Sequence, residues 1–191
     1  MKHLLMSFLL AFALVATASA AEPVLELDFE SQADLEGSSG SGRLVEGYEG
    51  TQSLLIEKKK KKKKGDGSGT RRFRLPVKKL AGELITLQAT VRGMNVSKPP
   101  NSWNGVKVML VLEHQGGGKD HPQLDLPVGT FGWTEFKEGL RVPKGVRSAT
   151  LVLGLEQVSG RAWFDNVTVR LGRPVTGGER KEEKFTGHDL S

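Results

Sequence analysis

The sequence has 191 residues, 37% of them hydrophobic, a formal net charge of +6 and no cysteine. That length allows one domain with a core of its own, and the missing thiols exclude disulfides, cysteine nucleophiles and thiolate metal sites, leaving packing or a hard cation to supply rigidity. The basic balance is local: taking away Lys2 and the seven lysines from Lys58 to Lys64, eight charges in all, turns +6 into −2.

Along the chain, Lys2 and His3 precede an apolar run from Leu4 to Val15, and Ala18, Ser19 and Ala20 form a small-residue cleavage pattern. Residues 1–20 therefore read as a secretory signal peptide, since a run of about a dozen apolar residues falls short of the roughly 20 that span a membrane. The mature protein is expected outside the cytoplasm, secreted or periplasmic, with no membrane span.

From Ala21 the dominant period is two. Ile85, Leu87, Ala89 and Val91 alternate with Thr86, Gln88, Thr90 and Arg92, and Ala149, Leu151, Leu153 and Leu155 form another one-face set. Strands are predicted over about 23–30, 51–57, 70–77, 84–92, 106–114, 133–142, 148–156 and 161–171, with Gly- and Pro-rich turns between them. The segment from Val106 to His114 is apolar at most positions on both faces, which marks an inner strand. No stretch shows a capped helical period. About eight short strands predict an all-β fold, a two-sheet antiparallel β-sandwich of the jelly-roll kind, over 21–172. Residues 58–69 read as a Lys- and Gly-rich loop. A like-charge block without interleaved aromatic residues lacks the features that read nucleic acid, so no nucleic-acid partner is expected. Residues 173–191 are polar and aperiodic, a linker or the truncated start of a following domain.

Catalytic constellations are missing: there is no GxSxG, and His114, His121 and His188 lack a ligand spacing such as HExxH. Glu113, Glu135, Glu138 and Glu156 read as solvated charges. Asp165, in SGRAWFDNVTV, is different. Strict alternation sets it on one apolar face with Trp163, Val167 and Val169, where an unpaired carboxylate is costly. Two readings balance it. One is a calcium ion shared with the Asp28-Phe29-Glu30 end of the first strand and carbonyls of the Gly47–Ser53 loop; the other is capping of backbone amides at a strand edge. Trp103, in the loop NSWNG, also has two readings. It is either a platform for the C–H face of a sugar, with Asn101, Asn104, Gln123 and Gln157 for the hydroxyls, or a lid packed over one end of the sandwich. Trp133 reads as a packing residue.

LDFE, GYEGTQSLLIE, GWTEFKEGLRVP and LGLEQVSGRAWFDNVTV together resemble the carbohydrate-binding modules of families four, nine and twenty-two, galactose-binding-like jelly rolls attached to secreted glycoside hydrolases. The likeness spans roughly 23–172. It implies non-catalytic binding of a polysaccharide or oligosaccharide by a secreted monomer, with hydrolase activity in an attached C-terminal domain. It also implies a structural calcium held by Glu30, by loop carbonyls from around Gly50 and Ser53, and by Asp165. Trp103, Asn104, Gln123 and Gln157 are the sugar-binding candidates. The alternative is a structural or protein-interaction sandwich that binds no sugar, for which Trp103 would be buried.

Overall fold

The computed structural model describes residues 23–59 and 69–172. The signal-peptide segment, the lysine tract from residue 60 onward and the tail from residue 173 lie outside the described residues. Eleven strands form two antiparallel sheets. The first sheet contains β1 (Pro23–Leu27), β3 (Arg43–Glu46), β4 (Gln52–Lys58), β6 (Leu84–Val96), β9 (Gly129–Arg141) and β11 (Gly160–Leu171). Its order is β3-β4-β11-β6-β9, with β1 lying against the last part of β11, so the first and last strands are neighbours. The second sheet runs β2-β5-β10-β7-β8. Its strands are β2 (Ser39–Gly40), β5 (Gly69–Leu75), β7 (Gly105–His114), β8 (Lys119–Asp120) and β10 (Val146–Glu156). This is the jelly-roll sandwich predicted from the alternation.

The period-two sets fill the space between the sheets. Ile85, Leu87, Ala89 and Val91 of β6 are each 0% exposed, and they meet Val108, Leu110, Leu151 and Leu153 of the second sheet in one core. Each such large apolar side chain contributes about 1.5–3 kcal/mol on burial, which is how a fold without disulfides holds together. β7 lies between β10 and β8, the inner-strand position predicted for it.

The differences from the alternation have local causes. The strand predicted over 70–77 stops at Leu75 because Pro76 has no N–H for the ladder, and Val77–Leu80 then makes one helical turn that buries Leu80. β6 runs on to Val96 and β9 starts at Gly129, both beyond the predicted ends. The strands β2, β3 and β8 lie in stretches that read as turns or were left unassigned.

The largest correction concerns Asp165. The pairing of β11 with β6 shifts between Asp165 and Thr168, and Asn166 takes a left-handed conformation with φ 46°. This bulge inserts an extra residue and reverses which side chains face inward. Ala162 and Phe164 point into the core before it, Val167 and Val169 after it. Trp163 and Asp165 therefore share the outer face of the first sheet, not the core face with Val167 and Val169. Trp163 is covered there by two guanidinium groups, Arg92 at 5.1 Å and Arg161 at 5.6 Å from the ring centre.

Candidate functional site

Two polar constellations stand out, one on the outer face of each sheet. On the second sheet the strand residues supply no outward Phe, Tyr or Trp ring; Phe73 is the only one of these among them and it faces the core. What this face does carry is Lys107, whose side chain is 2% exposed although Val106 and Val108 beside it fill the core. Its ammonium donates to the Trp103 carbonyl, to Oε1 of Gln123 at 2.6 Å, and to Oε2 of Glu156 at 3.1 Å. Gln123 is brought there by a bridge to Met109 of β7, and Glu156 by the register that sets it opposite Gly105. Asn104 joins the group through Nδ2, 3.4 Å from the same Glu156 oxygen, while its Oδ1 accepts from Asn101 Nδ2 at 3.1 Å.

Above this network the Trp103 side chain stands in solvent, with the residue 63% exposed. The lid reading of Trp103 is thereby set aside. The same loop borders an open depression of about 630 Å³ lined by Lys98, Pro99, Pro100, Asn101, Ser102 and Val128. Asn101 belongs to both the depression and the amide network, and an exposed indole beside amide and carboxylate groups has the chemistry that suits a ring with one apolar face and a hydroxylated edge.

The structure brings Trp103, Asn104 and Gln123 together; Gln157 it does not. Gln157 sits exposed in the turn from β10 to β11 with φ 55° and has no hydrogen-bond partner among the described residues. Lys107 and Glu156 were missed by the sequence reading, which took Glu156 for a solvated charge. The signal for Lys107 was present: one lysine inside an otherwise apolar inner strand. Trp133 packs, as predicted, edge to face against Tyr48 at 5.6 Å.

The second constellation lies on the outer face of the first sheet. Asp165 is 1% exposed, and the β4–β11 register, continued by one residue, puts Ser53 opposite it. Oδ1 of Asp165 accepts from the Asn166 N–H at 2.7 Å, and Oδ2 lies 3.5 Å from the Thr51 hydroxyl. That hydroxyl is already bonded to the Tyr48 carbonyl, and one hydroxyl hydrogen cannot serve both. Burial, and secondarily the charge of Glu30, push the Asp165 carboxyl up to about 6 from its usual 3.8, against hydrogen bonds from Asn166, Tyr48 and Thr51. Glu30 is held beside the same loop: its Oε1 accepts the Gln52 N–H and its carbonyl accepts Gln52 Nε2, both at 3.0 Å. Ser53 is 0% exposed, and its hydroxyl oxygen has no hydrogen-bond partner among the described residues. Gly50 ends the short turn Tyr48–Gly50 with φ 80°. Two carboxylates and a buried hydroxyl beside the Gly47–Ser53 loop are a donor set of the all-oxygen kind that suits a hard cation.

No protein-family model matches the sequence, and no curated protein matches it. Solved structures do. The chain is similar to a xylan-binding domain of carbohydrate-binding family 22, at 14% identity and TM-score 0.58 over 80% of this chain and 96% of that one. It is also similar to the family 22 xylan-binding domain of Paenibacillus barcinonensis Xyn10C, at 15% identity and TM-score 0.56 over 83% and 99%. A third is the Clostridium thermocellum endo-1,4-beta-D-xylanase 10B, solved as a family 22 module joined to a GH10 module with xylohexaose. There the identity is 16% and the TM-score 0.55 over 78% of this chain, which spans 28% of that one. At such identities the likeness is one of fold.

Proposed function

We propose that the chain is a non-catalytic module that binds a polysaccharide. The observation that carries this reading is the exposed Trp103 indole set beside Asn104, Gln123 and Glu156, an apolar platform with polar groups at its edge. A buried Trp103 would have favoured a purely structural sandwich; the residue is instead 63% exposed. Because the fold is that of modules described as binding xylan, a xylo-oligosaccharide is the first ligand to test. In such a complex the indole stacks on a sugar face, and the second carboxylate oxygen of Glu156 accepts from a hydroxyl. Among the described residues no helix is long and apolar enough to cross a membrane. We further read residues 1–20 as an export signal, and residues 173–191 as a link to a hydrolase domain, with the module acting as a monomer.

Calorimetry with xylohexaose, and affinity electrophoresis in xylan, β-glucan, mannan and galactan, test the proposal. Trp103→Ala is expected to weaken binding by about ten- to a hundredfold, the value of one stacked ring with the hydrophobic contact it makes. A folded protein that binds none of these glycans sinks it.

The Asp165 constellation supports a second proposal, a structural calcium ion. Glu30, Asp165 and the Ser53 hydroxyl would hold it, with carbonyl groups of the loop around Gly50. The ion would neutralise the buried Asp165 carboxylate together with the exposed Glu30 beside it, and tie the loop between the first and last strands. Elemental analysis of the purified protein, together with a rise in melting temperature on adding calcium, checks it.

A further inference from the structure

We propose that Lys107 is the positioning residue of the Trp103 surface: its buried ammonium fixes the Trp103 loop, and through Glu156 the Asn104 amide, without itself touching sugar. An ammonium has three donors and no acceptor. Here three acceptors meet it, the Trp103 carbonyl, Gln123 Oε1 and Glu156 Oε2, and the side chain is 2% exposed. No donor is left over for a ligand. The acceptors belong to three separate segments: the loop before β7, the stretch bridged to Met109, and the end of β10. One cation therefore ties together everything that frames the indole. The indole is 63% exposed, so its place is set by its backbone rather than by packing.

Stability alone does not account for a lysine at this position. Its side chain is buried on the same strand face as the buried Met109, and an apolar side chain in such a position is often neutral or stabilising relative to an ion pair. A position that keeps a charge under those conditions is spent on fixing geometry. The ligand in this inference rests on the proposed glycan reading, whereas the ordering of the Trp103 loop does not.

Lys107→Met, similar in length and apolar, tests it. The expected result is a folded protein whose Kd for xylohexaose rises about tenfold or more, because the binding-competent loop conformation is no longer the dominant one. The steady-state nuclear Overhauser effect of the Trp103 indole N–H, identified by its loss in Trp103→Phe, is expected to fall to the value of a mobile side chain. Unchanged affinity, or weaker binding with an unchanged indole signal, overturns the proposal. If Lys107→Met does not fold, the wild-type protein decides. Positioning requires a slowly exchanging Lys107 ammonium signal that stays in place during a xylohexaose titration while the Trp103 indole signal shifts. An ammonium signal that moves as the sugar's direct partner, or is lost to solvent exchange at neutral pH, refutes it. A wild type that binds no glycan defeats the glycan reading, and the indole measurement on Lys107→Met still settles whether Lys107 orders the loop.

Discussion

Asp165 holds a carboxyl with almost no access to water, next to Glu30, and both facts favour the protonated form in the metal-free protein. Its pKa of about 6 when folded stands above the ordinary 3.8 of an unfolded chain. Below about pH 4 the group is protonated in both states; between about 4 and 6 the folded state keeps the proton that the unfolded state releases. The associated stabilisation is therefore fully present at low pH and is lost as pH rises through 6, an effect of at most about 3 kcal/mol. In chelator-treated protein, the melting temperature of wild type relative to Asp165→Asn is expected to fall from pH 4 to pH 7. A difference that is flat or rises with pH over that range refutes the argument. The proposed calcium would compete with the proton for the same oxygens, so its addition is expected to raise the wild-type melting temperature most above pH 6. The sequence made Asp165 conspicuous, a carboxylate among Trp, Phe and Val. It did not disclose the direction in which Asp165 points, because that depends on a bulge at Asn166 whose one local hint is the tolerance of asparagine for positive φ. Lys107 shows the converse. Its position in an inner strand was legible, but its three acceptors come from segments distant in sequence, and no spacing rule connects them.

Among the elements, long strands with one buried face were legible and short ones were not. β6 and β10 declare themselves through four or more alternating apolar residues, whereas the two residues of β2 and of β8 are strands only because β5 and β7 offer them an edge. The junction of β6 and β9 shows the same dependence on tertiary context. The register slips on either side of Gly93, which pairs with Phe131, and the phenyl ring lies across the glycine. A Cβ at position 93 would stand 2.2 Å from Cε1 of that ring. The ring also meets Phe136 edge to face at 6.3 Å, a contact that its retreat would disturb. Gly93→Ala is therefore expected to lower stability by about 1–3 kcal/mol, the usual cost of overpacking, and Gly93→Ala combined with Phe131→Leu to recover part of it. Urea denaturation of the two variants measures both. Full stability in Gly93→Ala would mean that the ring does not press on this strand.

For the whole molecule, the consequence of the sandwich is separation. The Asp165 constellation lies on the outer face of the six-stranded sheet and the Trp103 surface on that of the five-stranded sheet, with the entire core between them. Sheet packing puts about 10 Å between the two backbones, and side chains on each outer face add to that. Coupling between such sites needs an element with two arrangements that both sites bias. Here the intervening material is a close-packed set of strand side chains, with Ile56, Leu87, Leu153 and Phe164 all 0% exposed. The proposed cation and the proposed glycan are thus expected to act independently. Chelation would lower the melting temperature, because an ion bound only to the folded state stabilises it by RT ln(1 + [L]/Kd). Well below that temperature, the Kd for xylohexaose would change by less than about twofold, the additivity expected of distant sites. Calorimetric titrations with and without chelator at 25 °C, set beside thermal melts of the same samples, make the comparison. A large loss of affinity in chelated protein that remains folded would show that the loop around Gly50 or the β11 bulge communicates with the opposite sheet. The separation argued from the strand order would then be wrong.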